Sequence, residues 1–423
     1  MKSRFALVNI VMALAVVASF MAFSGGTVAA KAVHNGTVTV KLDGWASTPS
    51  EPNALKIVLG HFHKAYPKIN VDYTVVNGDF ETQMKAAYAA GTGPDVMYAD
   101  EGWAQDFMRA GEFQSLNSYI AHDPSYHAAD LYKGLLAGFT VGKNLYGIPK
   151  DYSTLAMWYN PAVFHEAGIK SVPQTDAQFQ KTACTIRKWA VHHGHPNLYG
   201  AGLPADQARW QPILQGDGGA VLNKSQSKAT INNKAGATAI GFWGSLLHSG
   251  CAAEPGTVGT GWSGEEFGKG YAGMVFEGPW LLSPMQTSWP TTPYKLAQLP
   301  AGPKGRGNLA FSVAYAMNKA SKVKSAAWTL ISYLTGRTGE AQWVRLFGVL
   351  PARSTIKPPK GDGVFVKGAA VAEPWSFKPG YFNAGGPNTV LNNDLDKVGK
   401  GQMTAKAAAA DIAKAIALWE KNG

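Results

Sequence analysis

Between Thr37 and Ala110 the chain changes its hydrophobic period five times, and this alternation restricts the possible fold more than any other feature. Thr37–Leu42 alternates β-branched and polar residues, the two-residue period of a strand. Ala54–Tyr66 places Leu55, Val58, Leu59 and Phe62 on one helical face, and Pro67 stops it. Val71–Val76 is a second strand. Asp79 caps a helix over Phe80–Ala90, which Gly91 and Gly93 end. Asp95–Tyr98 is a third strand, and Gln105–Ala110 starts the next helix. A βαβαβ run predicts an α/β fold, with a mainly parallel sheet flanked by helices. Ligands of such sheets bind beyond the carboxyl ends of the strands. The loops Gly44–Ser50, Asn77–Asp79 and Ala99–Trp103 are therefore the first places to look for a site.

Mixed periodicity continues downstream. Strands are expected at Leu145–Pro149, Thr154–Tyr159, Met274–Phe276, Tyr294–Leu299 and Ala314–Met317. Helices are expected at Asp176–His193, Gln207–Leu214, Ala235–Leu247, Gly264–Lys269, Ser325–Leu334, Gly339–Phe347 and Thr404–Glu420. At 423 residues the chain is too long for one ordinary core, which predicts two domains.

The first residues bear on location. Lys2 and Arg4 precede an apolar run from Phe5 to Phe23, and Val28-Ala29-Ala30 supplies small residues after it. This order reads as a secretory signal peptide over residues 1–30, with an uncleaved membrane anchor as the alternative. No cysteine lies near the cleavage region, so a lipid-attachment site is not expected, and the mature chain belongs in a periplasmic or extracellular space. Disulfides persist there. Cys184 and Cys251 allow one pairing, and the sequence leaves open a bridge or two buried free thiols. Net charge is +11, but Lys and Arg are scattered and form no dense patch interleaved with aromatics. That speaks against nucleic acid as a partner and leaves a solvated surface, an acidic working medium or an anionic ligand as readings of the charge.

Motifs for catalysis and for cofactors are absent. There is no G-x-S-x-G elbow, Walker loop, H-E-x-x-H or G-x-G-x-x-G after a strand, so neither cofactor nor metal is expected. His192, His193 and His195 read as a polar helix end. Asp100-Glu101 and Glu265-Glu266 are sequence neighbours, whereas a glycosidase needs two carboxyl groups facing each other across a bond. Tryptophan stands out, with 13 in the chain. Indoles cover the apolar faces of sugar rings while carboxylates, amides and Arg bond the hydroxyl rim. Trp158, Trp189, Trp328, Trp343 and Trp419 read as core residues. Trp45, Trp103, Trp210 and Trp280 stand open between core and binding cleft.

A family resemblance rests on runs spread along the chain. They are Ala89-Ala90-Gly91-Thr92-Gly93-Pro94-Asp95-Val96, Tyr146-Gly147-Ile148-Pro149 leading to Met157-Trp158-Tyr159-Asn160, and Gly216-Asp217-Gly218-Gly219 with Ile231-Asn232-Asn233. Further on come Phe267 to Met274 ending in Glu277-Gly278-Pro279-Trp280, Leu299 to Gly305, Ala326-Ala327-Trp328, and Leu350-Pro351-Ala352-Arg353. In this order the chain resembles the extracellular solute-binding proteins of ABC importers, in the sugar-binding group that includes maltose-binding protein. The missing lipid-attachment cysteine departs from many relatives and points to a freely moving carrier.

The resemblance implies two α/β lobes joined by a hinge. The first lobe is expected at residues 33–148 plus 293–334, the second at 149–292 plus 335–423. It implies a carbohydrate ligand, an oligosaccharide above all, held in the cleft and delivered to membrane permease subunits by a monomeric protein that catalyses nothing. Glycerol-phosphate esters or polyols are the alternative ligands, and an exported glycan-cleaving enzyme is the alternative class. Segments that match place Trp45 after the first strand, Asp100 and Glu101 after the third, and Asp151 and Tyr152 at a hinge crossing. Trp280 is the implied aromatic platform. Ser312, Arg353, Trp210 and Trp375 are further implied contacts, and a structural ion pair is the alternative role for Asp151 and Arg353.

Overall fold

The computed structural model describes residues 36–422, and Thr37 onward forms one compact unit. The segment read as a signal peptide lies outside the described residues. Among the described residues, no helix is long and apolar enough to cross a membrane.

The strands, in chain order, begin with β1 (Val38–Gly44), β2 (Ile69–Val75) and β3 (Val96–Asp100). A short hairpin follows, made of β4 (Thr140–Val141) and β5 (Asn144–Leu145). Next are β6 (Gly147–Thr154), β7 (Ala156–Tyr159), β8 (Ala201–Gly202), β9 (Ala252–Ala253) and β10 (Met274–Glu277). The last are β11 (Lys295–Ala297), β12 (Asn308–Met317) and β13 (Ala372–Pro374). One sheet runs β13-β12-β3-β1-β2, with β6 also paired to β12. The other runs β11-β7-β10-β8-β9. β1 is parallel to β2 and β3, as the βαβαβ pattern requires.

Helices pack on both sheets, and their starts follow local chemistry. Asp79 accepts a hydrogen bond from Thr82 N at the start of the helix Phe80–Ala89, as expected. Thr175, Asp206 and Asn233 cap the helices Asp176–His192, Gln207–Gly216 and Lys234–His248 in the same way. Val40, Leu42, Val58, Phe62 and Val96 anchor the first core. Met157, Phe179, Trp243, Phe276, Ile412 and Ile416 anchor the second.

Element pairing divides the lobes differently from the expected boundaries. β11 pairs antiparallel with β7 and so joins the second sheet. The chain re-enters the first lobe only at β12. It then stays there longer than expected, because the helix Arg337–Phe347 buries Trp343, Val344 and Phe347 in the first core. A turn of only two residues separates that helix from Lys324–Leu334, which holds both on the same core. The Cys184–Cys251 bridge is formed, tying the helix Asp176–His192 to the residue before β9.

β6 and β12 make the ribbon that runs between the lobes. Ile148 lies opposite Tyr315 in the first core, while Thr154 lies opposite Ala310 at the second lobe. The sequence pattern predicts strands at Leu145–Pro149 and Thr154–Tyr159, but β6 is continuous through the polar residues Lys150, Asp151, Ser153 and Thr154. Pro149 is tolerated because the ladder is irregular beside it. Ala314 pairs with Pro149 and Val313 with Asp151, which leaves Lys150 as the extra, bulged residue.

Candidate functional site

The first lobe contributes aromatic and acidic groups from the carboxyl ends of its strands. Trp45, in the loop after β1, meets Phe80 edge-on at 5.1 Å and Tyr98 at 5.2 Å, and Trp103 lies 6.3 Å away. Gly44 makes this possible, since a Cβ there would approach the Tyr98 ring to 2.9 Å. Asp100 ends β3, and its Oδ1 accepts Gly102 N at 2.8 Å. Desolvation pushes the Asp100 carboxyl up to about 7. Glu101 turns inward and is buried, where Oε1 accepts Ser312 N at 3.1 Å and Trp375 N at 3.2 Å. Burial, aided by the Asp100 charge, raises its carboxyl well above the usual range. Glu101 thus clamps β3, β12 and the segment after β13 together.

The second lobe supplies a platform held by one carboxylate. Glu277 ends β10 and is fully buried. Its Oε2 accepts both Trp280 Nε1 at 2.8 Å and Arg209 Nη2 at 2.8 Å, and its Oε1 accepts Ser263 Oγ at 2.5 Å. Arg209 Nη1 also donates to Asp206 Oδ2 at 2.9 Å. The Arg209 guanidinium lies 5.6 Å from the Trp280 ring centroid. Burial opposes its charge, but Glu277 and Asp206 outweigh that and hold the group above its usual range. The indole meets Phe311 of β12 edge-on at 5.8 Å, Phe311 lies 5.8 Å from Trp375, and Trp375 lies 5.6 Å from Phe382. A continuous aromatic surface therefore runs from the second lobe across the ribbon. Trp280 also packs against the first core.

The lobes touch around this surface. Ser283 Oγ of the second lobe donates to Ser50 Oγ of the first. On another side, Asp106 Oδ1 accepts Gly380 N at 2.9 Å and Lys85 Nζ donates to Asn383 at 3.1 Å. A cavity of about 690 Å³ at that rim is lined by Asp106, Gly380, Asn383, Lys414 and Trp419, beside the aromatic surface rather than on it.

The expected site residues do not all fall together. Trp280 and Trp375 belong to the aromatic surface, although Trp375 is nearly buried there; Asp100 and Phe382 both lie against Gly102, and Trp45 sits among Phe80, Tyr98 and Trp103. Glu101 and Ser312 lie beneath the aromatic surface, and Ser312 Oγ donates to Asp151 O at 2.9 Å. Tyr152 is half-buried on the ribbon, 6.1 Å from Tyr132, and desolvation pushes its phenol to about 12. The others are internal. Trp210 is fully buried in the second core and has no face for a ligand, because its helix packs that side chain against the sheet. Arg353 is also fully buried, with Nε donating to Thr335 O, Nη1 donating to His127 O and Asp130, and Glu340 3.4 Å away. Asp151 accepts from Lys150 Nζ at 2.9 Å and Trp343 Nε1 at 2.6 Å. For Arg353 and Asp151 the structure shows the ion-pair alternative. Arg209, Glu277, Phe311 and Phe382 were missed. The signal for Glu277 was its place three residues before Trp280, where a turn brings its carboxylate back to the indole.

Among the described residues, no group of three or more His, Cys, Asp or Glu is placed to hold a metal ion. His193 and His195 instead stack on Trp189, at 5.0 and 5.5 Å. What the arrangement offers is flat apolar surface edged by carboxylates and one guanidinium, the chemistry of a small-molecule pocket.

Comparison with known proteins agrees. A model of the family described as bacterial extracellular solute-binding protein matches residues 45–341. The chain is 26% identical over 301 residues to a protein of Brucella abortus (strain 2308) whose name calls it a binding protein, covering 69% of this chain and 70% of the relative. Its fold is similar to that of the GacH receptor of Streptomyces glaucescens, solved unliganded and with acarbose, at TM-score 0.79 and 22% identity over 91% of this chain and 99% of that one. It is also similar to UgpB from Mycobacterium tuberculosis, solved with glycerophosphocholine, at TM-score 0.77 and 20% identity over 90% and 98% of the two chains.

Proposed function

Because the chain belongs to the bacterial extracellular solute-binding protein family, we propose that it captures a carbohydrate, an oligosaccharide above all, between its lobes and delivers it to the membrane permease of an ABC importer. The observation that carries this reading is the aromatic surface Trp280–Phe311–Trp375, rimmed by Arg209, Glu277 and Asp206. Sugar rings offer apolar faces to such a surface and hydroxyls to its rim. Asp100 and Trp45 complete the site from the first lobe. The acarbose bound by the Streptomyces glaucescens neighbour supports the same class of ligand. The protein acts as a monomeric binder outside the cytoplasm and not as a catalyst. Glu277, the buried acid nearest the platform, is taken up by Arg209, Trp280 and Ser263.

Ligand works by population shift. A sugar touching both lobes favours the arrangement in which they meet, and the permease needs only to prefer that arrangement. A phosphodiester ligand is the second reading, favoured by the glycerophosphocholine bound to the Mycobacterium tuberculosis neighbour.

Calorimetric titration with a panel of mono- and oligosaccharides tests the proposal. A binder is expected, and Trp280→Ala should weaken it. Losing one buried aromatic face is worth on the order of 1.5–3 kcal/mol, or roughly tenfold to hundredfold in affinity. Binding of some other solute, with no saccharide bound, would overturn it.

A further inference from the structure

We infer that this cleft selects uncharged or cationic glycans and rejects sugar phosphates and other anions, because two carboxylates already neutralise the guanidinium at its aromatic platform. The inference rests on the carbohydrate reading and narrows it.

Arg209 is the cation that touches Trp280. Its Nη1 is bound to Asp206 and its Nη2 to Glu277, and its Nε is buried without a partner. Two carboxylates on one guanidinium leave the group with net charge −1. Glu277 cannot swing away to release Arg209, because it is fully buried and also holds Trp280 Nε1 and Ser263 Oγ. Arg209 and Glu277 are therefore positioning residues for the indole, and their charge is used inside the protein. Asp100 adds another acidic group from the first lobe.

Two other cations around the site, Lys85 and Lys150, are committed in the same way. Lys85, at the rim, is held by Glu81 at 2.6 Å and Asp106 at 2.8 Å. Lys150, behind Tyr98, is buried with Asp151 at 2.9 Å and Glu51 at 3.5 Å. Each carries two acidic partners. A phosphate needs unspent donors of positive character, usually Arg, Lys or a nest of backbone N–H groups. Here it would meet carboxylate oxygens instead. The chain's net charge of +11 does not alter this, since surface charges beyond about 10 Å are largely screened at moderate salt.

The test titrates the full chain with neutral oligosaccharides, the same glycans bearing a phosphate ester, and their amino-sugar counterparts. The phosphorylated form should bind at least tenfold more weakly than its parent, and the amino sugar no more weakly. Glu277→Gln should narrow the gap by freeing Arg209. Asp206→Asn, which keeps a helix-capping side chain, serves the same purpose should Glu277→Gln fail to fold. Equal or tighter binding of the phosphate ester overturns the inference and leaves the carbohydrate reading standing. If no glycan binds, the carbohydrate reading falls. Charge selection is then read without ligand, from quenching of the Trp280 fluorescence, taken as wild type minus Trp280→Phe. Caesium quenching well above iodide quenching, each taken relative to free N-acetyltryptophanamide, supports an anion-excluding site, and equal quenching overturns it.

Discussion

Lys150→Met removes the bulged cation between the lobes while keeping its length. The Lys150 side chain is 4% exposed, with Asp151 at 2.9 Å and Glu51 at 3.5 Å, and it lies 4.1 Å from the Trp343 ring centroid. Without it, two buried carboxylates face each other unneutralised. Breaking a buried pair by deleting one partner costs about 3–5 kcal/mol. Glu51 still accepts Ser47 N and Asp151 still accepts Trp343 Nε1, so the lower end of that range, about 3 kcal/mol, is expected here. Burial already raises the Glu51 carboxyl, with Lys150 opposing the rise. In the variant Glu51 therefore takes up a proton more readily, and the deficit should shrink as pH falls. Urea unfolding at pH 7 and pH 5 measures both effects. Adding Glu51→Gln should recover roughly 1 kcal/mol or more at pH 7, since it removes one of the stranded charges. A Lys150→Met protein within about 0.5 kcal/mol of wild type, or a deficit indifferent to Glu51→Gln, would refute the account.

Two further outcomes are expected. The Cys184–Cys251 bridge closes a loop with a sequence separation of 67, and by loop entropy its removal as Cys184→Ala/Cys251→Ala should lower the unfolding free energy of the second lobe by up to about 4 kcal/mol; a loss below about 1 kcal/mol in chemical denaturation would show that the unfolded chain gains little freedom there. Glu266 is fully buried, neither of its oxygens has a partner, and burial, with the Glu254 charge, lifts its carboxyl to about 9 from the ordinary 4.5. Between those values the folded chain keeps a proton that the unfolded chain releases, so stability should fall as pH rises through the window, by at most about 1.4 kcal/mol per pH unit. Glu266→Gln should flatten that slope, and an unchanged slope between pH 5 and 9 would assign it to other groups.

What was legible in the sequence was whatever repeats within a few residues. β1, β2, β3 and the helices between them announce themselves through period and caps, as Asp79 does. The helix Pro387–Gly399 did not, because Asn388, Asn392, Asn393 and Asp394 dilute its apolar face and a run rich in Gly and Pro precedes it. β6 was hidden for a different reason. Its polar residues look like a loop, and they are buried only because β12, far along the chain, supplies partners such as Ser312 Oγ for Asp151 O. The site divides the same way. Trp45 and Asp100 follow strands and could be placed by that fact alone. Arg209 could not be chosen over its neighbour Trp210, because a one-residue step around a helix decides which of them reaches the surface, and only the packing of Trp210 into the second core settles it. Arg353 looked like a ligand contact because nothing local reveals that Asp130 and Glu340 enclose it.

The return of β12 to the first sheet has a consequence for how the chain folds. Asp100 pairs with Val313, 213 residues further on. As the chain emerges from its amino end, β3 has its inner edge uncovered until almost three-quarters of the protein has appeared. The first lobe cannot close early, and contacts of such sequence separation form slowly. Through that interval an apolar strand edge stays exposed to wrong partners. A lobe that must wait in this way stays unclosed for most of the chain's synthesis.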